Sequence, residues 1–319
     1  MQLMPEIQKL TPPALDVLNL AHIRAFVAPE SRVVCDATES PAWWLWWNLL
    51  SLDAPTVAVL WASVFARSSG IRLSYTEYGV LALSVWLVYV FDRLLDVWRS
   101  NEPAALPARH QFCLRHSRGL ATAVVLATIT APYVAARELP ARESWSGLLL
   151  AGVVSVYMIA IHGKARFMRR FLPKEFIVGI IFSIGTTLAL WSRGASFFRD
   201  GCGPWIAFAL LCSLNCLSIE CWEQPRRERE QVPAPRLLIA WVNSHFKECA
   251  LAMAIFTTAI ALGHGTATAS RQTLLAVSVG ALSLLLIHAR RGALSRSALR
   301  VLADAALVLP PLLFWLVQR

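Results

Sequence analysis

Residues 85–96 read Val85-Trp86-Leu87-Val88-Tyr89-Val90-Phe91-Asp92-Arg93-Leu94-Leu95-Asp96: an apolar run that flows straight into two acids. Continued from residue 75 to residue 97, the run has the length and apolarity that predict a helix crossing a bilayer, for which ~17–25 apolar residues are needed. On a helix of about 3.6 residues per turn, Asp92 and Asp96 share one face, their Cβ atoms about 5–6 Å apart. Two carboxylates at that spacing suit Mg²⁺, which takes one or two carboxylates, keeps several waters and completes its shell with substrate phosphates. The same pair also reads as a wetted helix end neutralised by Arg93 and Arg99. The metal reading draws its weight from the cost of placing acids at membrane depth.

The rest of the composition agrees with a membrane setting. Of 319 residues 56% are apolar, 13 are Trp and only 16% are charged, and the mean hydropathy is +0.52, too apolar for an ordinary soluble domain. The net charge of +10 does not point to nucleic acid, because the basic residues sit in short loops between apolar runs, where membrane topology accounts for them. Cys35, Cys113, Cys202, Cys212, Cys216, Cys221 and Cys249 form no CxxC and no His/Cys metal spacing; they are expected to be reduced and unpaired.

Residues 1–40 hold four prolines and scattered charges without a long apolar core. They are expected to form a cytoplasmic tail, neither a signal peptide nor a span. Residues 41–319 form the membrane domain, with nine expected spans at 43–66, 75–97, 118–136, 146–163, 175–192, 204–221, 246–263, 272–289 and 299–317. Backbone satisfaction in lipid makes runs this continuous helical, so the expected fold class is an all-α bundle. Trp43, Trp44, Trp46 and Trp47 open the first run as interfacial anchors. With 22 of the 30 Lys and Arg residues in the N-terminal tail and the even-numbered loops, those parts are expected in the cytoplasm. Asp92 and Asp96 then face it too.

Two further constellations fall on that face. Gly163-Lys164-Ala165-Arg166-Phe167-Met168-Arg169-Arg170, followed by Lys174, gathers five cations, read either as topology alone or as a clamp for phosphate oxygens. Glu220 and Glu223 share a face at the end of the sixth run, with Asn215 on a neighbouring line. They offer a second set of oxygen ligands, or, for Glu223, an ion pair with Arg226 or Arg227. Acidic helix ends and a basic loop around an apolar interior suit an amphiphile with a diphosphate head and a hydrocarbon tail lying between helices.

Phe91-Asp92-Arg93-Leu94-Leu95-Asp96 resembles the latter part of the first aspartate-rich motif of the UbiA-type superfamily of intramembrane prenyltransferases. Leu172-Pro173-Lys174-Glu175-Phe176-Ile177-Val178-Gly179-Ile180-Ile181-Phe182-Ser183-Ile184-Gly185 resembles that family's segment entering the fifth helix, and Ser51-Leu52-Asp53-Ala54-Pro55-Thr56 is similar to the polar break in its first helix. The chain departs from the pattern at Val88, where the family has Asn, and in the second aspartate-rich region, which here carries Asn215, Glu220 and Glu223. The resemblance implies a nine-helix UbiA-like bundle that transfers an isoprenyl group from a prenyl diphosphate to a lipophilic or aromatic acceptor. Asp92, Asp96 and Glu220 would be catalytic and, with Glu223 and Asn215, would hold Mg²⁺. Lys164, Arg166 and Lys174, with Arg93 and Arg99, would take the diphosphate. A terpene cyclase on the same fold and a non-catalytic prenyl-lipid-binding protein are the alternatives. The expected setting is a bacterial cytoplasmic membrane.

Overall fold

The computed structural model describes residues 45–99, 108–162, 174–193, 195–229, 237–263 and 266–317; the expected N-terminal tail lies outside them. Every regular element among the described residues is helical. A short turn of helix, α1 (Trp46–Leu49), leads into α2 (Asp53–Ser68) and α3 (Tyr75–Arg99). After α4 (Ala108–Arg115) come α5 (Ser117–Glu138), α6 (Ala141–His162), α7 (Lys174–Arg193) and α8 (Ala195–Arg229). The chain closes with α9 (Leu237–Ser244), α10 (Phe246–Leu262), α11 (Thr268–Arg290) and α12 (Arg296–Val317).

Among the described residues six stretches are long and apolar enough to cross a membrane: 117–138, 141–162, 174–193, 202–223, 270–293 and 296–316; the expected spans 43–66, 75–97 and 246–263 are not among them. The described elements are all helical, and these six apolar helices are those of a membrane protein. Helices α5 and α6 show why lipid must be the solvent. They expose Leu126, Ile129, Leu149 and Ile159 while burying Ala127, Ala131 and Ala160, the reverse of a soluble helix. Without a hydrophobic force between helices in lipid, small residues that allow close approach occupy the contacts instead. The 35-residue α8 is about 52 Å long at 1.5 Å per residue, well beyond the ~30 Å hydrocarbon layer.

The first expected run, 43–66, is two elements. Its helix stops after Leu49, the chain passes Ser51 in the left-handed region (φ 60°), and α2 restarts at Asp53 with Pro55 in its first turn, where a missing N–H costs nothing. Such a break frees carbonyls that lipid cannot satisfy; Ser51 N caps Asn48 O at 3.1 Å, and α3 adds side-chain donors. Trp86 Nε1 donates to Leu50 O at 3.0 Å and Arg93 Nη1 to Asn48 O at 2.6 Å. Asn48 Nδ2 in turn donates to Asp53 Oδ2 at 2.6 Å, and Arg93 Nη2 lies 3.6 Å from the same oxygen.

The centre of the bundle is aromatic. Trp61, fully buried, stacks on Phe208 at 4.5 Å between centroids, and Phe65 meets Phe208 edge-on at 5.6 Å. Trp61 Nε1 also donates to Leu307 O at 2.8 Å. That carbonyl would normally accept from residue 311, but Pro311 has no N–H to give. The tryptophan repairs the gap, tying α2 to α12. Helices α7 and α8 cross at Gly179, where a Cβ would run into Ser213 Oγ and stand 2.7 Å from Ser213 N and 3.0 Å from Ala209 O. Helices α10 and α11 are joined by hydroxyls: Thr257 Oγ1 and Thr258 Oγ1 lie 2.6 and 2.9 Å from Ser278 Oγ.

Candidate functional site

The alternation of helix directions brings the C-terminal ends of α3, α6, α8 and α11 to the same side of the bundle as the N-terminal ends of α7, α10 and α12. Asp92 and Asp96 stand there, their side chains about half-exposed. His162, the last residue of α6, reaches between them: its Nε2 is 2.9 Å from Asp92 Oδ1 and its Nδ1 4.0 Å from Asp96 Oδ1. His110 of α4 approaches Asp96 from the other side, Nε2 to Oδ2 at 3.5 Å. Asp96 also feels the charge of Lys174.

The basic segment enters this picture through its flanks. Lys164 and Arg166 lie outside the described residues, as does the rest of 163–173; of the residues on either side of it, His162 contacts the acid pair and Lys174 acts on Asp96 through its charge. Tyr157, one and a half turns before His162, lies within electrostatic reach of Asp92, Glu175 and Cys216. Four helices, α3, α6, α7 and α8, thus converge on one locus.

Not every expected residue belongs to it. Arg93 turns away from the acids; only 4% exposed, it is engaged by Asn48 and Asp53 at the helix break. The side chain of Arg99 lies outside the described residues. Glu223 is held by Arg300 of α12, Nε to Oε1 at 2.6 Å, which gives it an ion pair as its local role. Glu220 is half-buried and interacts electrostatically with Cys221. Asn215 is buried with its side-chain oxygen unpartnered.

The donor chemistry of the acid pair fits a water-rich Mg²⁺: two carboxylates on one helix face, open enough to leave room for waters. Among the described residues no group of three or more His, Cys, Asp and Glu side chains is arranged around one point, so phosphate oxygens and water would supply the remaining ligands. When bound, the ion would supply electrostatic stabilisation of a departing diphosphate.

No family model, curated protein or solved structure matches this chain. The resemblance therefore rests on the quoted motifs, and the site on its own geometry.

His110, His162 and Tyr157 are additions that the sequence reading passed over. His162 had one signal: a lone imidazole at the last turn of an apolar run, directly before Gly163-Lys164.

Proposed function

We propose that the protein is a membrane prenyltransferase, which moves an isoprenyl group from a prenyl diphosphate to a lipophilic or aromatic acceptor with Mg²⁺ held by Asp92 and Asp96. The observation that carries this reading is the convergence of the acid pair with both flanks of the basic segment 163–173. That arrangement offers a polyanion a metal site with the charge of Lys174 in reach. Six described helices are long and apolar enough to cross a membrane; in this reading α2, α3 and α10 make up the other three of nine crossings in a UbiA-like bundle. In this reading the acid pair and the basic segment face the cytoplasm of a bacterial inner membrane, as the Lys and Arg bias requires.

In this account Asp92 and Asp96 bind the head of the substrate through the metal, and Lys174 with the neighbouring cations neutralises the charge that grows on the leaving diphosphate. His162 and His110 hold the two carboxylates in place by hydrogen bonding from either side. The apolar interior excludes water from the allylic carbon as its bond breaks. A second reading, prenyl-lipid binding without chemistry, draws on one observation: the acids are already engaged by two imidazoles. Incubating the purified protein with radiolabelled farnesyl diphosphate and Mg²⁺, with and without a panel of phenolic and lipid acceptors, separates them. Label moving to an acceptor supports transfer. Label appearing in a hydrocarbon without acceptor indicates a cyclase, and binding without any product indicates a lipid-binding protein.

A further inference from the structure

Glu175 sits in the first turn of α7. It is 4% exposed, and neither of its side-chain oxygens has a hydrogen-bond partner. Removing a carboxylate from water costs several kcal/mol unless something compensates, and here the positive end of the α7 dipole offsets only part of that. A buried carboxylate without a donor has two oxygens that a bound donor can satisfy.

Its surroundings indicate where that donor comes from. Glu175 acts electrostatically on Tyr157 and Cys216, and Asp92 acts on the same Tyr157, so the two carboxylates share Tyr157 as a neighbour. An ionised carboxylate can only accept hydrogen bonds. A diphosphate brings no proton to give and would be repelled, and a hydrocarbon tail has no polar hydrogen. The partner is therefore the other substrate. A neutral hydroxyl meets no repulsion from Lys174, whereas an ammonium would.

We propose that Glu175 binds the hydroxyl of the prenyl acceptor and takes its proton, an assignment that rests on the prenyl-transfer reading above. In the step, the C1–O bond of the prenyl diphosphate breaks and its electron pair leaves with the diphosphate. The acceptor oxygen forms the new bond to C1, and the hydroxyl proton passes to a Glu175 carboxylate oxygen, from which water later removes it.

The test uses the full-length protein in lipid nanodiscs, with farnesyl thiolodiphosphate as an unreactive probe of diphosphate binding and phenol as the acceptor probe. Glu175→Gln is expected to bind the analogue in the presence of Mg²⁺ within about twofold of wild type while losing about 100-fold or more in phenol prenylation, the range typical of a lost general base. Glu175→Ala is expected to regain part of that rate when formate is added, a rescue that a purely structural residue would not show. Phenol prenylation at the wild-type rate by Glu175→Gln, absence of formate rescue, or loss of analogue binding in Glu175→Gln would each overturn the assignment. Wild-type protein that binds the analogue but does not prenylate phenol would overturn the hydroxyl-acceptor claim. Wild-type protein that does not bind the analogue would instead remove the prenyl-transfer reading, and this one with it.

Discussion

Replacing Trp61 by Phe removes one N–H from the centre of the bundle and leaves Leu307 O, already deprived of a helical donor by Pro311, with no partner. The direct cost has two parts. A buried carbonyl stranded without a donor costs about 1–3 kcal/mol, and the smaller ring loses contact with Phe208 and its neighbours, which adds an overlapping cavity cost. A double-mutant cycle isolates the first part. In a Pro311→Ala background residue 311 regains its N–H and Leu307 O is satisfied within α12, so only the packing cost of Trp61→Phe remains. The coupling energy is therefore expected at about 1–2 kcal/mol, roughly a 5–30-fold change in the folding equilibrium constant. Unfolding in mixed micelles of dodecyl maltoside and SDS, followed by tryptophan fluorescence and far-UV circular dichroism for wild type, the two single variants and the double variant, measures it. Costs that add to within about 0.3–0.5 kcal/mol would refute the idea that Trp61 repairs the carbonyl freed by Pro311.

Three further outcomes follow from the same contacts. Gly179→Ala should force α7 and α8 apart and cost about 1–3 kcal/mol. Adding Ser213→Ala should not restore thermal stability, because Ser213 N and Ala209 O still block the new methyl. Arg93→Leu should cost about 3–5 kcal/mol by leaving Asp53 buried without its cation, yet the folded fraction should keep its affinity for a prenyl diphosphate; a selective loss of that affinity would place Arg93 at the binding site. Reporter tags before residue 1 and within 164–174 should read as cytoplasmic and a tag after Arg319 as opposite. Finding both chain ends on one side would remove the nine-crossing topology.

Membrane character was legible because lipid imposes a composition that few other solvents tolerate: Leu126, Ile129 and Leu149 can stay exposed only there. The acid pair was legible because a spacing of four on a helix fixes a shared face without any tertiary knowledge. The same geometry turns Arg93, one residue and about 100° of rotation from Asp92, toward a different neighbour, Asp53. The remaining contacts join residues far apart in the chain. His162 to Asp92 spans 70 positions, Arg300 to Glu223 spans 77, and Trp61 to Leu307 spans 246. No local pattern encodes such pairings. The unpartnered state of Glu175 is likewise a property of packing; in the sequence it is one acid in the first turn of a helix, where acids are ordinary.

The central claim is that Asp92 and Asp96 work as a unit through a metal to hold a diphosphate. Its most direct test is a titration of farnesyl thiolodiphosphate against purified wild type, Asp92→Asn, Asp96→Asn and the double variant, at several Mg²⁺ concentrations. Each substitution keeps the size and a hydrogen-bonding oxygen but removes the charge that Mg²⁺ requires. Wild type should bind in a Mg²⁺-dependent manner, and each single change should weaken binding at least about tenfold, about 1.4 kcal/mol. The double change should cost little more than either alone, because groups that share one ion fail together. A double variant that still binds the analogue with wild-type Mg²⁺ dependence would contradict the account.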